Sequence, residues 1–164
     1  MSKTADYTVP GLGKANGEEI AGLLQDRLHA LNDLQLVLKH VHWNVVGPNF
    51  IAVHEMLDPQ TAQVREFADE IAERIATLGT APSGLSGELV SERRWEDYPL
   101  HKASVEDHLA ELDKVYTGVI EDHRQVLGKV GDTDPVTEDL LIGQTKELEL
   151  FQWFIRSHGE KLTA

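Results

Sequence analysis

The chain contains no cysteine, which removes disulfides, thiolate nucleophiles and iron–sulfur ligation together. Basic residues are scarce: 15 Lys and Arg stand against 28 Asp and Glu in 164 residues, a formal net charge of −13. A fold-wide nucleic-acid footprint is thereby disfavoured, and any DNA contact has to come from a local basic segment. The excess of carboxylates suits cation attraction instead, although many soluble proteins are acidic. Long hydrophobic runs are missing as well. No stretch approaches the roughly 18 apolar residues of a membrane span, and the N-terminus carries no apolar leader, so a cytoplasmic location is expected. What is present, 41% hydrophobic and 26% charged residues, is the composition of one globular domain with one sizeable core.

Residues 1–16 hold Pro10, Gly11 and Gly13 with little periodicity and read as an irregular arm. From Glu18 onward Ile20, Leu24, Leu28, Leu31, Leu34, Leu38, Val41 and Val45 recur at helical spacing. Gly47-Pro48 ends that helix. Asn49 is the expected N-cap of a second helix running to Leu78-Gly79, with Pro59 introducing a kink or a broken hydrogen bond near its start. Residues 80–103 are too long for a tight turn, and Ser91–Trp95 could form a short helix inside them. Ser104 caps a third long helix, and a turn at 131–135 leads into the fourth, with Leu141, Leu148, Phe151 and Ile155 facing inward. The expected fold is all-α: a four-helix bundle over residues 17–160 with one long crossover containing a short helix, and a short C-terminal end at 161–164.

Chemistry concentrates on the first two helices. His42 lies on the apolar face of helix one, whereas His40 points away; alone, His42 reads as a satisfied core histidine. Helix two carries His54 and Asp58 four residues apart, then Asp69 and Glu73 four residues apart, so all four fall within an arc of about 100°. Phe50, Leu57 and Ile75 lie near this stripe, which places the acids off a plainly hydrated surface, and Arg65 is the cation near them in sequence. Carboxylates taken out of water need a cation or donors, and nitrogen plus oxygen without sulfur suits Fe(II), Mn(II) or Zn(II). Asp58 and Asp69 are about 17 Å apart along a helix, so one chain cannot close both pairs around one centre. Two antiparallel copies of helix two about a two-fold axis can, giving two equivalent sites per pair of chains. A single-subunit di-iron bundle uses Glu-x-x-His, and no histidine here has glutamate three residues before it.

The segment from Lys39 through His42-Trp43-Asn44, Gly47-Pro48-Asn49-Phe50 and His54 to Asp58, followed by Asp69-Glu70-Ile71-Ala72-Glu73-Arg74, closely resembles the Dps family, the mini-ferritins named as DNA-binding proteins from starved cells. The resemblance extends over about residues 18–160. It implies a ferritin-like bundle assembled into a hollow homododecamer, with ferroxidase centres at the two-fold interfaces. Fe(II) is oxidised there, preferably with hydrogen peroxide over dioxygen, and stored as a ferric oxyhydroxide core. By this resemblance His42, Asp69 and Glu73 form the tighter iron site, His54 and Asp58 the second, two irons per centre. Trp43 resembles the family's aromatic that absorbs stray oxidising equivalents, and reads equally as a core or interface aromatic. Glu55, Glu66 and Glu70 are candidates for nucleating mineral, or simply a solvated helix face. Asp132, Asp134, Glu138 and Asp139 cluster where related shells have an acidic pore; the same acids suit a helix N-terminus.

Family members that bind DNA use lysine-rich tails. Here Lys3 and Lys14 stand against Asp6, and Lys161 follows Arg156, so little DNA binding is expected at physiological salt. Three readings compete: a peroxide-dependent ferroxidase with storage, a nucleoid-compacting DNA-binding protein, and a purely structural bundle whose histidines and acids are interface salt bridges. A zinc hydrolase is remote, because no His-Glu-x-x-His helix occurs.

Overall fold

The structure, a computed structural model, describes residues 5–159; Lys3 and the C-terminal end with Lys161 lie outside them. Four long helices and one short one follow in order: α1 Lys14–Asn44, α2 Phe50–Thr77, α3 Ser86–Glu92, α4 Val105–Val130 and α5 Pro135–Gly159. α1 packs chiefly on α2 and α4 on α5, because their links are short enough to force antiparallel neighbours. The crossover between α2 and α4 traverses the bundle and carries α3. Where it ends, Ala103–Ser104 (β2) pairs in parallel with Val45–Val46 (β1), tying the end of α1 to the start of α4. The fold is the four-helix bundle with a single crossover that the periodicity implied.

The expected stripes form the core. Leu24, Leu31, Leu34, Leu38, Leu57, Ile71, Ile75, Leu112, Leu141 and Leu148 are all buried, and burial of these faces, more than intrinsic propensity, stabilises the helices. Phe67 of α2 is buried with them.

Several local expectations are corrected. α1 starts at Lys14, so the arm is shorter than residues 1–16. Its first turn is held by close packing: a Cβ on Gly17 would sit 2.5 Å from Thr8 Oγ1. Asn49 stands at the N-cap position of α2 but is left-handed, φ 63°, and its side chain makes no capping bond; the tight Gly47-Pro48-Asn49 reversal sets its backbone. α2 runs through Pro59, which forfeits one backbone bond to the carbonyl of Glu55. The short helix is Ser86–Glu92 rather than 91–95. Arg93, Arg94 and Trp95 instead reach α1, where Arg94 pairs with Asp26 at 2.8 Å and the Trp95 indole donates to Asp33. Two other end signals hold. Asp107 N–H donates to Ser104 Oγ at 3.2 Å. Gly79, φ +88°, closes α2 with N–H bonds from Gly79 to Ala76 O and from Thr80 to Ile75 O, the six-to-one pattern that frees glycine to be left-handed.

Candidate metal centre

Pro48 lies six residues from both His42 and His54, so the α1–α2 hairpin brings the two imidazoles face to face. Their ring centroids are 3.6 Å apart, with planes 21° from parallel. His42 Nδ1 meets the His54 carbonyl at 2.9 Å, and His54 Nδ1 meets the His42 carbonyl at 2.9 Å. A carbonyl oxygen only accepts, so each Nδ1 carries a proton, and the neutral form of each ring has its lone pair on Nε2. Fixing the tautomer through a backbone carbonyl is how histidine is prepared to ligate a metal. His42 is buried at 7% exposure; His54 is half-buried.

Asp58, one turn beyond His54, stands 3.4 Å from His42 Nδ1, whose proton is already given to the His54 carbonyl. Its firm partner is Lys39 Nζ at 2.9 Å. That hydrogen bond is the first reason its carboxyl lies below the ordinary carboxylate value. The cation that pairs with Asp58 is therefore Lys39 on α1, while Arg65 lines the same groove between the two helices. Sequence spacing did not expose Lys39, because nineteen residues separate the pair and only the hairpin joins them. Lys39 Nζ also lies 5.7 Å from the centroid of Trp43, which is 71% exposed and so outside the core of this chain.

Asp69 and Glu73 are exposed further along α2. The expectation that the acids avoid a hydrated surface fails for the single chain: Asp58, Asp69 and Glu73 all face water. Their helix face needs a second body to be dehydrated. Among the described residues, no three histidine or carboxylate side chains are placed to hold a metal ion. A groove of 980 Å³ between α1 and α2 is lined by Lys39, Trp43, Asp58, Glu66 and Asp69, so Asp58 and Asp69 share one open face. The groove wall supplies carboxylate oxygens, and His42 and His54 stand at its Asp58 end through the α1–α2 hairpin; nitrogen and oxygen donors of this kind match what divalent iron accepts.

The remaining candidates divide. Glu55 and Glu66 are exposed, and Glu70, also exposed, accepts from Gln144 Nε2 at 2.9 Å. Asp132 and Asp139 are exposed, and Glu138 is half-buried. Asp134 does not belong with them as a pore acid. It is 5% exposed, pairs with Arg74 at 2.6 Å, and accepts from Thr137 Oγ1. Burial works to raise its pKa, but the Thr137 and Arg74 bonds outweigh that and hold it below the ordinary value. Asp134 ties α2 to the start of α5.

A ferritin-like domain model matches residues 21–164. The chain is 60% identical over 158 residues to the fine tangled pili major subunit of Haemophilus ducreyi, covering 96% of this chain and 84% of the relative. It is 56% identical over 154 residues to the DNA protection during starvation protein of Mycolicibacterium smegmatis, covering 94% and 84%. Among solved structures, the tetragonal form of Mycobacterium smegmatis Dps superposes with a TM-score of 0.93 at 54% identity, covering 97% of this chain and all of that one. With the bundle, the crossover and the histidine–carboxylate pattern already in place, these likenesses establish that the chain belongs to the Dps family of ferritin-like proteins.

Proposed function

We propose that this protein is a ferroxidase and iron-storage mini-ferritin: it takes Fe(II) as substrate at two-chain centres, oxidises it preferentially with hydrogen peroxide, and keeps the ferric oxyhydroxide inside a homododecameric shell. The observation that carries this reading is the reciprocal His42–His54 arrangement. Two stacked imidazoles with protons pinned on Nδ1 serve no packing need that two apolar side chains would not meet better. They do supply two oriented lone pairs beside a carboxylate.

His42, His54 and Asp58 form one half of the proposed centre. Asp69 and Glu73 of a second copy form the other, since within one α2 they stand about 17 Å away. Exposed Leu36 and Trp43 beside the acids give that face the mixed character of a surface covered by another chain. Two Fe(II) ions supply the two electrons that reduce one hydrogen peroxide to water, which avoids release of hydroxyl radical and so protects the cell from oxidative damage. Lys39 keeps Asp58 ionised and charge-balanced until iron replaces it. Glu55, Glu66 and Glu70 would nucleate mineral if this part of α2 lines the cavity. Asp132, Glu138 and Asp139 remain as acids able to concentrate cations at an entry.

A role in compacting DNA in the nucleoid is the second reading, favoured by the name of the Mycolicibacterium smegmatis relative. The charge of −13 opposes it, and Lys14 is already paired with Asp6 at 3.1 Å. Among the described residues no helix is long and apolar enough to cross a membrane, in keeping with action in the cytoplasm. The test is anaerobic loading with Fe(II) followed by peroxide, recording ferric absorbance and particle mass together. Prompt oxidation by a particle of about twelve chains supports the ferroxidase. Oxidation no faster than in buffer contradicts it. Alanine at His54 and Asp58 separates the structural reading: assembly persists and oxidation collapses if these residues hold iron, whereas assembly fails if they are interface salt bridges.

A further inference from the structure

A second concavity uses other residues of α1, Ala30, Asp33, Leu34 and Val37, under the last part of the crossover. It encloses about 400 Å³ between α1, α4 and residues 95–99. We propose that this pocket binds a small organic cation, a molecule with one aryl or compact alkyl body and a single ammonium group.

The concavity is open to solvent at its mouth, and its walls are mostly apolar, the usual make-up of a small-ligand site. Leu34 and Val37 of α1 and Val115 and Val119 of α4 form its walls. Between the last two stands Gly118, in the interior of α4, where glycine weakens a helix relative to alanine. No atom lies within 4 Å of where its Cβ would be. Close approach of a neighbour therefore does not explain the glycine, and its missing side chain widens the pocket. The roof is fixed in advance: the Trp95 indole donates to Asp33, and Tyr98 Oη lies 2.9 Å from His108 Nδ1. Burial lowers the pKa of His108 and keeps its ring neutral, and Tyr98 Oη also donates to the His108 carbonyl at 3.3 Å. A preformed site loses little freedom when a ligand enters.

Charge selects the ligand. Asp33, Glu96, Asp97, Glu111 and Asp122 line the pocket against Lys114 alone. Lys114 is held by Glu111 at 2.6 Å, Asp122 by the buried Arg27 at 3.1 Å, and Asp97 and, at 3.8 Å, Asp33 share Arg93, so five acids against three cations leave the rim with a negative excess. Aromatic Trp95 and Tyr98 at the mouth add faces that attract a cation. The volume, near the lower end of the roughly 300–1,000 Å³ usual for small-ligand pockets, fits a single ring with a short tail. A protein segment or a second copy would need more surface than these walls offer.

The assembled, full-length protein is titrated by calorimetry with 2-phenylethylamine, 2-phenylethanol and 3-phenylpropionate. Saturable binding of the amine, at least fivefold tighter than the alcohol and with no heat from the acid, is expected. Gly118→Leu and Val115→Phe, which fill the space from two sides, should each weaken amine binding at least tenfold at unchanged particle mass, and Glu96→Gln two- to threefold. In a Trp43→Phe/Trp153→Phe protein, Trp95 emission should shift on adding the amine, a readout that needs neither filling variant. Absence of saturable amine binding overturns the proposal, as does equal binding of all three probes or indifference to both filling variants. Binding that appears only after the particle is dissociated also overturns it, because a neighbouring chain then occupies the face.

Discussion

The α1–α2 hairpin and the α4–α5 hairpin use the same side chains to opposite ends. In the first, buried His42 and half-buried His54 are each oriented by the other's carbonyl, and Asp58 is 57% exposed beside Lys39. In the second, His123 is fully buried with an unpartnered Nε2. Burial first, and then the charge of Arg27, push its pKa down to about 4. Asp134, at the start of α5, is enclosed by Arg74 and Thr137. A carboxylate with all its partners inside one chain holds a fold together, while one left facing water next to prepared imidazoles is available to a metal. Residue type does not distinguish the two; burial of the carboxylate with its partners does.

The largest contrast is expected from removing ligands. His54→Ala or Asp58→Ala should lower the initial rate of peroxide-driven Fe(II) oxidation by at least about 100-fold, since loss of even a residue that only supports a ligand costs roughly 10–100-fold, with particle mass unchanged. Stopped-flow absorbance and mass measurement check this, and a rate within twofold of the unaltered protein would erase the contrast. In the other hairpin Arg74→Ala leaves Asp134 buried without its cation and should cost about 3 kcal/mol of stability, read by chemical denaturation, while the oxidation rate per assembled particle stays the same.

The pH dependence sharpens the comparison further. His123 takes up a proton in the unfolded chain below its ordinary value of 6.5, but in the folded chain only near 4. Its contribution is therefore complete above pH 6.5 and is lost as pH falls toward 4, by up to about 3 kcal/mol. Denaturation midpoints at pH 7 and pH 5 should differ, and His123→Gln should flatten the difference. The smallest effect belongs to Lys39→Gln. Without the competing ammonium, Asp58 should bind Fe(II) a few-fold more tightly, measured by anaerobic titration, and its pKa should rise toward the ordinary carboxylate value.

Much of this was legible in the sequence because helical spacing reports burial directly. The stripe from Ile20 to Val45 and the Ser104 cap needed no tertiary information. The two i,i+4 pairs on α2 were visible for the same reason, as was the impossibility of closing them within one chain. What stayed hidden depends on contacts between distant segments. Lys39 meets Asp58 only through the hairpin, and Asp134 is buried only because Arg74 of α2 reaches it. The short helix was misplaced because Arg93–Trp95 have helical neighbours but stronger partners in Asp26 and Asp33. Periodicity also could not say that Asp69 and Glu73 stay wet in an isolated chain.

Complementation between two defective chains tests the two-chain centre most directly. One chain carries His54→Ala and Asp58→Ala, the other Asp69→Ala and Glu73→Ala, and the two are unfolded together at equal amounts and reassembled. If each centre joins His42, His54 and Asp58 of one chain to Asp69 and Glu73 of its neighbour, mixed interfaces regain one intact centre of two. The mixture should then recover about a quarter of the unaltered oxidation rate, since half of random pairings are mixed. Particles that demonstrably contain both chains yet oxidise Fe(II) no faster than either parent would contradict it.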